Sequence, residues 1–224
     1  MIRKYEIVET EDGSHTLKLV DTDITFHSKK GAIQESLHVF IQSGFDYFTQ
    51  ENPSQKVVKI FEVGFGTGLN ALLTAKAARK KSKQVIYKAV DLHPLGGDIF
   101  NRLNYSRILG EVELYRTIMQ TGWEQLLYVD PFFKLQKTRM GLEQYTFTEQ
   151  QHIIYFDAFA PEDQEEMWSE AMCKKMFDGL EAGGILVTYC SKSIVRKALQ
   201  AAGFEIEKIP GPLGKREIVR AIKP

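Results

Sequence analysis

This sequence is short of cysteine, has no long apolar run, and carries no excess of either charge. Each shortage excludes something. Its two cysteines, Cys173 and Cys190, fall in a helical pattern and at a strand end, which rules out a disulfide scaffold and a cysteine-rich metal cluster and leads us to expect reduced thiols in the cytoplasm. No stretch approaches the roughly 20 apolar residues of a membrane span, and no secretory leader pattern opens the chain, so a membrane partner is not expected. With 29 basic and 29 acidic residues the formal charge is zero, and a nucleic acid would have to be met by a local basic patch. There is no repeat and no low-complexity tract, and 224 residues suit one domain with a small extension.

What is present centres on Ile60-Phe61-Glu62-Val63-Gly64-Phe65-Gly66-Thr67-Gly68-Leu69-Asn70. An apolar run ends in closely spaced glycines and is followed at once by an alanine- and leucine-rich segment, a pattern that predicts strand, tight turn and helix. A dinucleotide fingerprint requires Gly-x-Gly-x-x-Gly, but here the third position of that pattern is Leu69 and the glycine falls one residue earlier. Gly-x-Gly-x-Gly preceded by the acid Glu62 is the pattern of S-adenosylmethionine-dependent methyltransferases, in which bare backbone approaches a ligand without phosphate. A strand-to-helix turn can also be glycine-rich for backbone reasons alone.

The chain divides into an extension, 1–50, and a main domain, 51–224, that contains this loop. Residues 4–27 read as a β hairpin turning at Glu11-Asp12-Gly13-Ser14, followed by a helix with apolar positions 33, 37, 40 and 41. That helix is expected to cover the sheet edge, with His27 and His38 in ordinary hydrogen bonds. Val85 to Asp91 reads as the second strand, and its terminal acid is placed to receive ribose hydroxyls, although Asp before His93-Pro94 would also form a turn. Interrupted short helices are predicted over 94–129, a third strand over 132–137, and an adenine-side contact at Glu143. The run His152 to Phe156 is a fourth strand, which delivers Asp157 to the switch point of the sheet, where it could alternatively serve only as a turn or cap. A helix over 162–180, a fifth strand 185–189, a helix 194–202, a sixth strand 204–209 and a final strand 215–222 complete the pattern. The tight return before the last strand requires it to be antiparallel. The expected fold is therefore α/β and Rossmann-like, a class I methyltransferase with a mostly parallel seven-stranded sheet, an antiparallel last strand and a small N-terminal β element.

Several stretches together resemble one family, the methyltransferase domain of the bifunctional tRNA wobble-uridine enzyme MnmC and its free-standing MnmD-like relatives. They are His27-Ser28 with Gly31-Ala32, Glu35-Ser36-x-His38-Val39-Phe40, Glu62 to Asn70, Asp157-Ala-Phe-Ala-Pro161, Met167-Trp168, Gly183-Gly184 with Thr188-Tyr189, and Gly214-Lys215-Arg216-Glu217. The resemblance implies methyl transfer from S-adenosyl-L-methionine to the aminomethyl nitrogen of 5-aminomethyl-2-thiouridine in the tRNA anticodon stem-loop, without a metal. It implies Asp157 as the essential acid and a cofactor held by Glu62, Gly64, Gly66, Gly68, Asn70, Asp91 and Asp157. The family often has Glu where this chain has Asp91, which keeps the carboxylate. The flavin-dependent half of the bifunctional enzyme is not expected in a chain that ends at Pro224, so the free amine is expected from a separate uridine-modifying enzyme or directly from the upstream modification pathway.

An alkyl ammonium has no lone pair to attack a methyl sulfonium, so such a site must bind or generate the neutral amine. A carboxylate of ordinary pKa is a weak base for this, which ranks positioning by Asp157 above proton abstraction. Phe159 and Tyr189 are candidates for supporting the acceptor base or the sulfonium by stacking and cation–π contact. Between Lys192 and Pro224 eight basic residues face three acids, and Lys192, Arg196, Lys215 and Arg216 are the candidate phosphate contacts among them. The rest of that excess could equally keep an edge strand soluble. Two readings from other classes stay open, a spermidine-synthase-like transferase acting on small amines and a non-catalytic RNA-binding relative. The terminal basic excess argues against the first, and the intact acid and glycine set against the second.

Overall fold

Strands β1 (Tyr5–Glu9) and β2 (His15–Leu19) pair antiparallel in a two-stranded sheet, with Tyr5 opposite Leu19. The computed structural model describes residues 4–224, the side chain of Asp98 excepted. So short a hairpin is marginal alone, and its turn is tied to the next element: the Asp12 carboxylate accepts from Thr10 Oγ1 at 2.7 Å and from the backbone N–H of Gln34 at 3.0 Å. Gln34 lies in a continuous helical stretch made of α1 (Ala32–Ser36), a segment Leu37–Asp46 wound in wider i→i+5 turns, and α2 (Tyr47–Glu51).

The main sheet follows. It comprises β3 (Val57–Val63), β4 (Gln84–Val90), β5 (Leu127–Asp130), β6 (Phe133–Thr138), β7 (Gln151–Phe156), β8 (Leu180–Thr188), β9 (Glu205–Pro210) and β10 (Glu217–Ile222), in the order β5-β6-β4-β3-β7-β8-β10-β9. Strands β5 and β10 run against the rest. The antiparallel last strand is as the sequence requires, while β5 adds an eighth strand to the expected seven. It hides from pattern reading because it is a four-residue edge strand whose Leu127 and Tyr128 are exposed, so no apolar alternation marks it. Pairing with β6 puts Tyr128 opposite Lys134, whose ammonium lies 4.4 Å from the ring centre.

Helices pack on both faces. Helix α3 (Leu69–Lys81) follows the glycine loop, and α4 (Gly97–Phe100), α5 (Tyr105–Leu109) and α6 (Val112–Gln120) fill the long crossover, as its glycine breaks foretell. The single helix expected over 162–180 is instead a 3₁₀ turn, Glu165–Trp168, followed by α7 (Glu170–Gly179). Ser169 separates them because its hydroxyl caps α7, accepting from Met172 N at 3.3 Å. Helix α8 (Ser193–Ala201) leads into β9. Neighbouring strand residues part to opposite faces, so Ile60 and Ile153 enter one buried cluster while Phe61 and Ile154 enter the other.

The expected edge position of the 32–51 helical stretch is corrected. It lies across the middle of one sheet face, with the Phe40 ring centre 5.1 Å from that of Tyr155 on β7, and a Cβ at Gly44 would come within 3.1 Å of Val187 on β8. Leu17 from the hairpin joins the same cluster. Because Phe40 is almost wholly buried there, Phe40→Ala is expected to cost about 3–5 kcal/mol. Urea unfolding would read this as a lower midpoint with an unchanged slope, and an unchanged midpoint would mean that the stretch is only appended to the core. Among the described residues no helix is long and apolar enough to cross a membrane, and no cluster of potential metal ligands occurs.

Candidate active site

Strand order reverses between β3 and β7, which opens a crevice beyond their carboxyl ends. A cavity of about 680 Å³ lies there, a size suited to a cofactor or small-molecule ligand. Its floor is the Gly64–Thr67 loop with Asn70. Asp91 and Met140–Glu143 line it from the β4 side and Asp157–Ala160 with Tyr189 from the β7 side, and Phe26–Ser28, Glu35 and Lys215 also line it.

The loop is stitched to both neighbouring strands, Gly64 N donating to Val90 O at 3.0 Å and Asp157 N to Val63 O at 3.1 Å. At Gly64 φ is +86°, and a Cβ would stand 2.8 Å from the Asp157 carbonyl oxygen, so only glycine fits between the two strand ends. Asp91 forms the turn that one of its sequence readings gives it. One oxygen accepts from His93 N at 2.7 Å as in an Asp turn, the other from Gly66 N at 2.8 Å, and the side chain still lines the cavity. Gly68 and Glu62 are not among the lining residues. A Cβ at Gly68 would meet the Met119 sulfur at 2.5 Å, so its bareness serves helix packing.

Glu62 acts through Asn70. The Asn70 amide, on the first turn of α3, donates to Glu62 Oε1 at 2.8 Å and to Asp157 Oδ2 at 2.9 Å, joining two acids from adjacent strands. Burial, with the Asp157 charge added, raises the Glu62 carboxyl well above its ordinary value. Asp157 is pushed up to about 7, first by burial and then by the Glu35 charge, against the Asn70 hydrogen bond and Lys215. This revises the premise of an ordinary carboxylate, because a group titrating near neutrality is matched to taking a proton at pH 7. Asn70 Oδ1 is buried without a hydrogen-bond partner among the described residues, a polar atom that still has capacity to bond.

Phe159 and Tyr189 both line the cavity, as the sequence reading has them. Tyr189 is fixed by donating to Ala158 O at 2.9 Å, and Phe159 is held edge-on against Phe26 with ring centres 5.3 Å apart. The basic residues divide. Lys215 turns into the cavity, where it pairs with Glu35 and lies 4.0 Å from the Tyr189 ring centre. Lys192, paired with Glu162, and Arg196, 3.7 Å from Glu217, lie outside it, and Arg216 is exposed without an ion pair among the described residues. Neither Lys215 nor Arg216 belongs to the last strand, which begins at Glu217.

Residues that pattern reading did not assign to the site come mostly from the extension. Glu35 is buried, its second oxygen accepting from Ser28 N at 2.8 Å. His27 bonds Thr16 Oγ1 through Nδ1 at 3.2 Å and is pushed down to about 4, chiefly by burial, so it is neutral at pH 7. His38 bonds Pro210 O at 2.7 Å, an ordinary hydrogen bond as expected.

Residues 133–224 match the family described as S-adenosyl-L-methionine-dependent methyltransferase. The chain is 28% identical over 220 residues to the tRNA 5-methylaminomethyl-2-thiouridine biosynthesis bifunctional protein MnmC of Cupriavidus metallidurans, an overlap covering 89% of this chain and 31% of that protein. It thus spans about a third of the length of the curated relatives it matches. Among solved structures, MnmC2 from Aquifex aeolicus superposes with a TM-score of 0.77 at 23% identity, covering 99% of this chain and 71% of the other. Spermidine synthase from Thermotoga maritima superposes with a TM-score of 0.58 at 12% identity, over 99% and 69% of the two chains, a likeness of fold alone. With its strand order, its glycine loop and these likenesses together, the chain has the class I, Rossmann-like methyltransferase fold and is similar over most of its length to part of MnmC.

Proposed function

We propose that this chain transfers a methyl group from S-adenosyl-L-methionine to the aminomethyl nitrogen of wobble 5-aminomethyl-2-thiouridine in tRNA, giving 5-methylaminomethyl-2-thiouridine. The observation that carries the reading is Asp157, a half-buried carboxylate on the cavity wall pushed up to about 7. The residues fit the cofactor, since the cavity is lined by the Gly64–Thr67 loop, a carboxylate for ribose hydroxyls at Asp91, an acid at Glu143 for the adenine side, and Asn70 with its Oδ1 unpartnered among the described residues. When bound, S-adenosyl-L-methionine supplies an electrophilic methyl group on a sulfonium.

Asp157 accepts a hydrogen bond from the incoming amine and takes the proton that an ammonium must lose before it can attack. Asn70 fixes the carboxylate for this task by occupying Oδ2. Phe159 and Tyr189 flank the acceptor with aromatic faces and exclude water. Outside the cavity, exposed Lys192, Lys197 and Arg216 meet the phosphates of the anticodon stem-loop. The test incubates the protein with labelled S-adenosyl-L-methionine and tRNA carrying 5-aminomethyl-2-thiouridine, and analyses the nucleosides by mass spectrometry. One added methyl on the side-chain nitrogen is expected. Turnover of a free polyamine without RNA, and none of tRNA, would replace this reading with a small-amine transferase.

A further inference from the structure

We propose that Lys215 is a second acceptor-recognition residue: held by Glu35 and Tyr189 at the cavity wall, its ammonium donates a hydrogen bond to a ring carbonyl beside the amine that Asp157 receives. The inference rests on the amine-methyltransfer reading above and deepens it. A lysine that meets phosphate or keeps an edge soluble stands free in solvent. Lys215 instead lines the cavity, with Glu35 on one side and the Tyr189 face on another.

Its backbone is fixed as firmly. Lys215 N donates to Pro212 O at 2.9 Å and Gly211 N to Arg216 O at 3.0 Å, closing the turn, and a Cβ at Gly214 would come within 2.7 Å of Lys30 on the extension. His38 anchors the start of the same turn through Pro210. Glu35 spends its other oxygen on Ser28 N, so it holds Lys215 and is itself held.

An ammonium carries three donors and no acceptor. With Glu35 taking one, Lys215 has donors left for a ligand, and the same positive charge disfavours an acceptor amine that arrives protonated. The acceptor end of the cavity therefore presents an acceptor at Asp157 and a donor at Lys215. That pair is complementary to a primary amine attached one carbon from a carbonyl-bearing ring, and it leaves a half-buried donor unmatched by a simple aliphatic polyamine.

Steady-state kinetics on tRNA carrying 5-aminomethyl-2-thiouridine test this with Lys215→Met, Lys215→Arg and Glu35→Gln, alongside calorimetry of S-adenosyl-L-methionine binding. Lys215→Met is expected to lower kcat/KM by about 10- to 100-fold, the loss of one charge-assisted hydrogen bond. Cofactor affinity should stay within roughly two-fold, because on this inference the group bonds the acceptor and not the cofactor. Lys215→Arg should recover part of the loss, and Glu35→Gln should fall between. The salt dependence of KM should be unchanged in Lys215→Met; a slope shallower by about one would put Lys215 on a phosphate and overturn the inference. Full activity in Lys215→Met, or an equal loss of cofactor affinity, would also overturn it while leaving the tRNA reading intact. A wild type inactive on this tRNA sinks that reading and the inference together.

Discussion

Asp157→Asn is expected to abolish methyl transfer and, above neutral pH, to make the protein more stable. Both effects come from the same carboxyl, whose pKa stands at about 7 where an unperturbed Asp has 3.8. Below pH 4 the folded and unfolded chains both carry the proton, and the residue contributes nothing to the pH dependence. As pH rises from about 4 to about 7 the unfolded chain releases the proton while the folded one keeps it, so stability falls; above 7 the whole cost is present. At about 1.4 kcal/mol for each pH unit between the two values, that cost is at most about 4 kcal/mol. Asparagine keeps the shape and can still accept from Asn70 without ever carrying the charge. Thermal melts should therefore show the variant above wild type by roughly 5–10 °C at pH 8 and level with it at pH 4. Methyl transfer should drop by about 10²- to 10⁴-fold, the usual worth of a positioned acid or base. A melting difference independent of pH would mean that Asp157 titrates as an ordinary exposed carboxylate, and the proton-transfer role would go with it.

What could be read in advance follows a physical division. The glycine loop, Asp91 and Asp157 were legible because each lies at the end of a strand whose local pattern is strong, and the doubly wound topology then brings those ends together. Glu62 carries the motif yet stands behind the cavity, because alternation along β3 sends successive side chains to opposite faces and motif membership does not say which. Lys215 and Arg216 were read as one pair of phosphate contacts. Both lie in the turn before the last strand, and no periodic pattern there says that one turns into the cavity and the other to solvent. Glu35 was beyond reach of periodicity altogether, since it lies off the apolar positions 33, 37, 40 and 41 and is buried only once the hairpin and the 210–216 turn close over it.

The sharpest test of the cradle itself is Gly64→Ala set against Gly13→Ala. Both glycines have positive φ, +86° and +78°, so either alanine costs about 1–2 kcal/mol for the left-handed backbone. There the likeness ends. Nothing lies within 4 Å of a Cβ at Gly13, whereas at Gly64 the Asp157 carbonyl oxygen is 2.8 Å away. That oxygen cannot yield by rotating a side chain, because Asp157 N is bonded to Val63 O and the peptide continues β7. Relief requires the ends of β3 and β7 to part, and parting them moves the carboxylate that aims the acceptor. Gly64→Ala is thus expected to lower the melting temperature well beyond Gly13→Ala and to cut turnover by about 10²-fold, as a displacement near 1 Å at a reacting centre does. Cofactor binding by calorimetry should weaken in the first variant and not in the second. Equal melting temperatures and equal binding would show that the strand ends can separate freely, and a carboxylate on so loose a mount could not hold an amine in line with a methyl–sulfur bond.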